Sequence, residues 1–158
     1  MDSQSARCLA LILVSALVAM AIWPTHADTP GVKTEQFTGK VVPLVGLLEK
    51  FGSRLDPDAA HHWLALVTET GKVYPLIKDD GSRMFFKDET MLNRPMRLTG
   101  RLYNDTSLLQ VLEVHSLIKG ELHDVYYWCD ICSIRRNEKM ICECCGGAMD
   151  LKEVPLYK

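Results

Sequence analysis

The chain has 158 residues, of which 47% are hydrophobic and 24% charged, with a formal net charge of −2 at pH 7. This length suits one compact domain with a small appendage. A slightly acidic chain lacks the cationic footprint of nucleic-acid-binding proteins, so the charge argues against nucleic acid as a partner.

Residues 1–27 have the pattern of a secretory signal peptide. Arg7 follows the amino terminus, an apolar run occupies residues 8–23, and Thr25 and Ala27 place a small residue at each position that a signal peptidase reads. We predict cleavage after Ala27 and export to the periplasm or the extracellular space. The alternative is an uncleaved N-terminal membrane anchor, although an apolar run of sixteen residues is short for a spanning helix, which needs about twenty.

A polar leader at residues 28–33, predicted to be flexible, precedes the first strand. The alternation of Phe37, Gly39 and Val41 with polar residues predicts a strand that ends at Pro43. Apolar residues then recur at helical spacing and predict a short amphipathic helix that runs up to Gly52, with an apolar face made of Leu44, Leu47, Leu48 and Phe51. These elements open a domain that we place at residues 34–127.

The middle of the chain predicts a β-hairpin and a capped turn. Residues 63–68 and 73–77 are strand-like segments joined by four residues, and Pro75 places the second strand at an edge or a bulge. Asp88 then caps a single helical turn that Pro95 closes off.

Three more strands follow, at residues 96–103, 108–118 and 122–128. Lys119 and Gly120 form a two-residue loop between the last two strands. If that loop sets the register, Ile118 lies opposite Glu121 and His115 lies opposite Asp124.

Two strands carry a glycine at an inward position, Gly39 and Gly100, where a missing side chain lets a sheet coil sharply. Short, strongly bent strands with an intervening helix resemble the OB-fold barrel. The resemblance implies a mainly β protein: a small OB-like antiparallel barrel with one or two short helices over residues 34–127. A small antiparallel sandwich is the alternative.

Five of the six cysteines lie close together near the carboxyl end, in two Cys-x-x-Cys pairs with one extra thiol. They are Cys129, Cys132, Cys142, Cys144 and Cys145. Two tight turns that each carry two thiolates can supply a tetrahedral shell around one ion. We predict that Cys129, Cys132, Cys142 and Cys145 hold a metal, with Cys144 as a spare or alternative ligand.

With Tyr127 and Trp128 as an aromatic lead-in, the stretch at residues 126–149 resembles the short zinc ribbons and rubredoxin-like four-cysteine domains, and we place it in a four-cysteine metal-binding segment at residues 128–158. Ser133 stands where the first turn of that family usually has glycine, and Glu143 stands where the second usually has proline. The resemblance implies a structural zinc ion, with iron as the alternative. Disulfides are a third reading in an exported chain, but a bridge within a Cys-x-x-Cys pair closes too small a loop to stabilise much.

The sequence contains no known catalytic constellation, which points away from an enzyme. The combined prediction is an exported small metal-binding protein whose structural zinc site supports a non-catalytic binding or interaction module for a protein or a small ligand. Arg135, Arg136 and Lys139 would be presented to that partner. The alternative uses the same cysteines for rubredoxin-like electron transfer or for thiol/disulfide redox chemistry.

Overall fold

A computed structural model of the chain describes residues 32–56, 58–103 and 106–156, except for the side chains of Ala60 and His61. The predicted signal peptide and most of the predicted leader lie outside these residues. Within the described ranges, no helix has the length and apolar character needed to cross a membrane. The protein is mainly β, and its antiparallel sheet curls into a half-barrel, which confirms the predicted fold class.

Eight strands and several short helices make up the described chain. The strands are β1 (Val32–Pro43), β2 (Leu64–Thr68), β3 (Val73–Pro75), β4 (Pro95–Tyr103), β5 (Leu109–Ile118), β6 (Glu121–Cys129), β7 (Ile134–Arg136) and β8 (Asp150–Pro155). The helices are α1 (Leu44–Glu49), α2 (Ala59–His62), α3 (Arg83–Lys87) and a 3₁₀ helix at Glu89–Met91.

The sheet follows the order β3-β2-β1-β4-β5-β6-β7, and β8 pairs with β6. A parallel bridge between Leu76 and Leu109 joins the end of β3 to the start of β5, where the Ile77 N–H donates to the Leu109 carbonyl at 2.9 Å. Strands β1 to β5 therefore curl around one core, and α3 with the 3₁₀ helix lies in the connection between β3 and β4.

The predicted inward glycines lie where the strands coil. A Cβ on Gly39 would stand 2.2 Å from the Val67 carbonyl oxygen, and one on Gly100 would stand 2.6 Å from that of Gln110. The β4–β5 register also shifts between Thr99 and Gly100. Both strands thus use a glycine to let a neighbouring backbone approach closely, as the alternation predicted.

Strand β6 links the half-barrel to the cysteine turns. Its pairing with β5 has the predicted register, with His115 opposite Asp124 and Ile118 opposite Glu121. The connecting residues Lys119 and Gly120 have φ values of 52° and 86°, as a tight two-residue hairpin requires. The buried side chains of β6 alternate along the strand and end with Tyr127 and Cys129.

Two strands in the C-terminal half and the end of one helix differ from the sequence prediction. Strands β7 and β8, which pair with β6, were not predicted. Helix α1 ends at Glu49, and Phe51, which the helical spacing placed on the apolar face, is 85% exposed.

Candidate metal centre

The four cysteines predicted to be ligands come together in the structure. The Sγ atoms of Cys129, Cys132, Cys142 and Cys145 all lie within 4.8 Å of one another. The separation between the Sγ atoms of Cys129 and Cys145 is 3.5 Å. Four sulfurs at 2.3 Å from a central ion form a tetrahedron with edges of about 3.8 Å, so this cluster has the dimensions of a single-ion site.

The first cysteine turn, residues 129–133, follows directly from β6. The Ser133 N–H donates to the Cys129 carbonyl at 2.8 Å and closes the turn, after which β7 begins. Backbone N–H groups of Cys132 and Ile131 point at Cys129 Sγ. This donor arrangement is the one expected around a metal-bound thiolate, because N–H groups stabilise its negative charge.

The second cysteine turn, residues 142–146, repeats this geometry. The Gly146 N–H donates to the Cys142 carbonyl at 2.8 Å, and the backbone N–H groups of Cys145 and Cys144 point at Cys142 Sγ. The Cys142 N–H donates to the Gly147 carbonyl at 2.8 Å, so the turn is tied at its base. Each turn therefore brings two sulfurs and two N–H donors to the centre.

The thiol acidities reflect this arrangement. The N–H groups of Cys145 and Cys144 lower the pKa of Cys142 to about 7. For Cys129 the N–H of Cys132 acts in the same direction, but burial and hydrogen bonds shared with Cys142 and Cys145 prevail and raise its pKa. The pKa of Cys132 is raised chiefly by a hydrogen bond with Cys144. Only part of the cluster therefore ionises readily by itself, and a bound cation would supply the charge that deprotonates the rest.

The cluster lies at the edge of the hydrophobic core. Cys129 is 1% exposed and Cys142 is 2% exposed, and both belong to the core together with Tyr127 and Met149. Cys145 is exposed. A metal here would be packed against the half-barrel on one side and face solvent on the other.

Cys144 lies outside the four-sulfur cluster but beside it. Its side chain is exposed. The spacing of the sequence assigned it a spare or alternative position, and its place beside the cluster is compatible with either.

The segment between the cysteine turns is fixed to the half-barrel by two ion pairs. Lys139 Nζ lies 3.5 Å from the carboxylate of Asp88, and Arg83 donates to Glu138 at 3.1 Å. Asp88 is 5% exposed and also accepts the Tyr127 hydroxyl at 2.8 Å. Burial alone would raise the pKa of Asp88, but hydrogen bonds from Thr90 and Tyr127 together with Lys139 hold it below its ordinary value.

The sequence did not predict these ion pairs. It predicted instead that Arg135, Arg136 and Lys139 would face a partner. Arg135 donates two hydrogen bonds, at 2.7 and 3.0 Å, to Asp124, and Arg136 donates to Glu143 at 3.2 Å. With Lys139 on Asp88, each of the three cations expected to face a partner has an acidic partner within the chain. The predicted register, with His115 opposite Asp124, was the one feature of the sequence that drew attention to Asp124. In the structure the Asp124 carboxylate pairs with Arg135.

Searches against protein-family models, curated proteins and solved structures find no match to this chain.

Proposed function

We propose that this chain is a small exported metal-binding protein in which a structural zinc ion, held by Cys129, Cys132, Cys142 and Cys145, fixes the C-terminal strands on an OB-like half-barrel. The observation that carries the proposal is the convergence of the four Sγ atoms within 4.8 Å of one another. Zinc is the ion most often bound by four thiolates on two such turns.

The closed ligand set supports a structural role. Four protein thiolates complete a tetrahedral zinc shell, whereas a catalytic zinc site keeps one position open for water or substrate. The N–H donors at Cys129 and Cys142 and the burial of these two sulfurs supply the outer shell that structural sites use.

The position of the site indicates what the ion would stabilise. Both β7 and β8 pair with β6. The first cysteine turn connects β6 to β7 in the chain, and the second turn lies between β7 and β8. β7 is only three residues long, so its pairing contributes little by itself. The ion would hold the two turns together and thereby keep β7 and β8 in register on β6.

We further propose that the chain presents an interaction surface beside its metal site. The cations of the connecting segment pair within the chain, so the surface offered to a protein or a small ligand is the exposed tip of the two turns rather than a cationic patch. Ile131 in the first turn is 79% exposed, and Ile141, just before the second turn, is 67% exposed.

Iron electron transfer is the second candidate, since the same four thiolates also suit a rubredoxin-like iron. Elemental analysis, absorption spectra and a thiol count of the natively exported protein separate the alternatives. We expect one zinc per chain, no colour and four thiols that react only after chelation. A red protein that bleaches on reduction would identify iron, and absence of stoichiometric metal would refute the metal site.

The proposal of export is based on the sequence of residues 1–27, and the same protein preparation tests it. We expect the mature chain to begin at Asp28, as determined by N-terminal sequencing. A chain that retains Met1 and sediments with membranes would support the anchor instead.

A further inference from the structure

Strand β5 loses its partner β6 partway along its length. Its pairs with β6 cover residues 115–118 of β5 and end where His115 lies opposite Asp124. From that point β5 pairs with β4 alone until its bridge at Leu109. Part of one edge of β5 therefore has no neighbouring strand in the described chain.

The segment before α3 covers one position of this edge. A Cβ on Gly81 would stand 1.9 Å from the Val111 carbonyl oxygen, so the Gly81 backbone lies directly against β5 there. The free edge is thus short and runs over residues 112–114. Any extended segment that pairs with so short an edge needs further contacts from its side chains.

Strand β7 lies on the same side of β6 as β5 does. Residues 123 and 124 of β6 pair with both β5 and β8, and residues 127 and 128 pair with both β7 and β8. Because β8 takes one side of β6, β5 and β7 share the other. A groove separates them, lined by residues 112–114 of β5 and by Arg135 of β7.

This groove, which we call the β5–β7 groove, continues toward the second cysteine turn. Its first and second sections share Gly81, Leu112 and Asn137 as lining residues. Its second and third sections share Asp80, Arg83 and Asn137. The three sections therefore form one continuous surface depression.

The β5–β7 groove carries an excess of negative charge. Six carboxylates and three guanidinium groups line it, so three negative charges are unbalanced in a chain whose formal net charge is −2. The lining charged residues are Asp79, Asp80, Glu113, Asp124, Glu138, Glu143, Arg83, Arg135 and Arg136. Such a surface attracts a cationic partner.

Two carboxylates of the groove have no cation of their own. Each lining arginine already pairs with an acidic side chain of the groove, and Arg83 is shared between two. Asp79 and Glu113 take part in no ion pair among the described residues. Asp79 Oδ2 accepts the Gln110 amide at 2.9 Å, whereas Asp79 Oδ1 is buried and has no hydrogen-bond partner in the described chain. Asp79 therefore retains an unsatisfied acceptor.

We propose that the β5–β7 groove is a docking site for an extended basic peptide segment of a partner protein. The backbone of that segment pairs with the free edge of β5, and its lysine or arginine side chains pair with Asp79 and Glu113. The inference goes beyond the proposed metal site, because none of the four cysteine ligands lines the groove.

The surroundings favour a peptide over other cationic ligands. A free strand edge presents N–H and C=O groups that match an extended peptide backbone, whereas a polyamine has no carbonyl groups to pair with them. Apart from the four cysteines, no three His, Cys, Asp or Glu side chains of the described chain bring their ligand atoms together. The unbalanced charge is thus spread along the groove, which suits cations spaced along a chain rather than one metal ion.

Fluorescence anisotropy of a labelled, end-capped hexapeptide of alternating lysine and valine tests the proposal on the protein as isolated. Three competitors separate the contributions to binding. An alternating glutamate and valine peptide tests the sign of the charge, spermine tests charge without a peptide backbone, and the lysine peptide with N-methylated amides tests backbone pairing.

A double variant, Asp79→Asn with Glu113→Gln, removes the two carboxylates that have no ion pair and nearly keeps their shapes. The matched control, Glu35→Gln with Glu121→Gln, removes two exposed carboxylates of β1 and β6 that lie outside the groove. Hydrogen exchange read by mass spectrometry locates the bound peptide on the chain.

We expect the lysine peptide to bind with an affinity that falls as salt rises, and the groove variant to bind it about tenfold more weakly than the wild-type and control proteins. Bound peptide should slow hydrogen exchange at residues 112–114. Absence of binding, equal affinity in both variants, equal competition by spermine or the N-methylated peptide, or protection confined to other strands would overturn the proposal. A metal-free preparation that still binds the peptide would refute the metal centre and leave this inference standing.

Discussion

Ser133 and Gly146 occupy equivalent positions in the two cysteine turns and share one backbone conformation. Each lies four residues after the first cysteine of its turn and donates its N–H to that cysteine's carbonyl at 2.8 Å. Their φ values are 54° and 72°, in the left-handed region. The serine that replaces the usual glycine of the first turn therefore keeps the glycine conformation, and both turns retain the geometry that aims two sulfurs at one point.

Gly146→Val tests how much the second turn depends on this conformation. A β-branched residue is strained at positive φ, so the metal-loaded protein should lose about 1–2 kcal/mol of unfolding free energy. Denaturant titration with fluorescence detection measures the loss. Gly46→Val is the matched control, because Gly46 has no atom within 4 Å of the added Cβ and lies in α1.

Ser133→Gly is the reciprocal change and should leave stability unchanged or raise it. Glycine adopts the left-handed conformation without the strain that serine bears. Equal losses in Gly146→Val and Gly46→Val, or a destabilised Ser133→Gly protein, would mean that the left-handed conformation is not what the turns require.

Asp88 makes stability depend on pH. Hydrogen bonds and Lys139 hold its folded pKa below its ordinary value of 3.8. Its contribution is therefore fully present above about pH 4 and is lost as the pH falls through the folded pKa. Asp88→Asn should cost about 1–3 kcal/mol near neutral pH, because Tyr127 and Lys139 lose a charged partner.

The unfolding free energies of the wild-type and Asp88→Asn proteins are compared at each pH. Because both proteins lose metal in acid, that effect cancels in the difference. The difference in unfolding free energy should shrink as the pH falls below about 4. Asp80→Asn is the control, since the Asp80 side chain is 87% exposed and pairs with Arg83. A difference that stays constant down to about pH 2 would exclude a titrating role for Asp88.

Gly39→Ala tests the close approach that lets β1 coil. The added Cβ would stand 2.2 Å from the Val67 carbonyl oxygen and 2.8 Å from its carbon, so β1 and β2 must separate. We expect a loss of about 3 kcal/mol in unfolding free energy. Gly46→Ala, with free space around its Cβ, should be neutral or stabilising. A fully stable Gly39→Ala protein would show that this part of the sheet tolerates wider strand spacing.

The half-barrel was predictable because each strand buries one face. The alternation of Phe37 and Val41 in β1 marked the inward face, and the two-residue loop at Lys119 and Gly120 fixed the β5–β6 register. The convergence of the cysteines was predictable for a different reason. Two Cys-x-x-Cys turns have few other ways to satisfy their thiolates, so spacing alone indicated a cluster.

Other features of the fold could not be predicted from the local sequence. Strand β8 is half-exposed and rich in charge, and it depends on pairing with β6 rather than on an apolar face of its own. The ion pair of Arg83 with Glu138 joins residues 55 positions apart, and the pattern around each shows only a solvated charge. Phe51 was misplaced because the helical spacing continued beyond Glu49, where α1 ends.

Cys132→Ser separates the part of the chain that depends on metal from the part that does not. Without its fourth ligand the site should lose the ion, and the amides of β7 and β8 should exchange hydrogen rapidly. Amides of β1 and β4 should stay protected, because the apolar core of the half-barrel remains. Hydrogen exchange read by mass spectrometry resolves these segments, and Cys144→Ser is the matched control. Loss of protection in β1 as well would show that the predicted boundary near residue 127 does not separate two units.

X-ray absorption at the zinc edge of the metal-loaded protein identifies and counts the atoms bound to the ion. We predict four sulfur neighbours at about 2.3 Å in the wild-type protein and in Cys144→Ser, and fewer in Cys142→Ser. A shell containing nitrogen or oxygen in the wild-type protein, or loss of a sulfur neighbour in Cys144→Ser, would contradict the assignment of Cys129, Cys132, Cys142 and Cys145 as the complete ligand set.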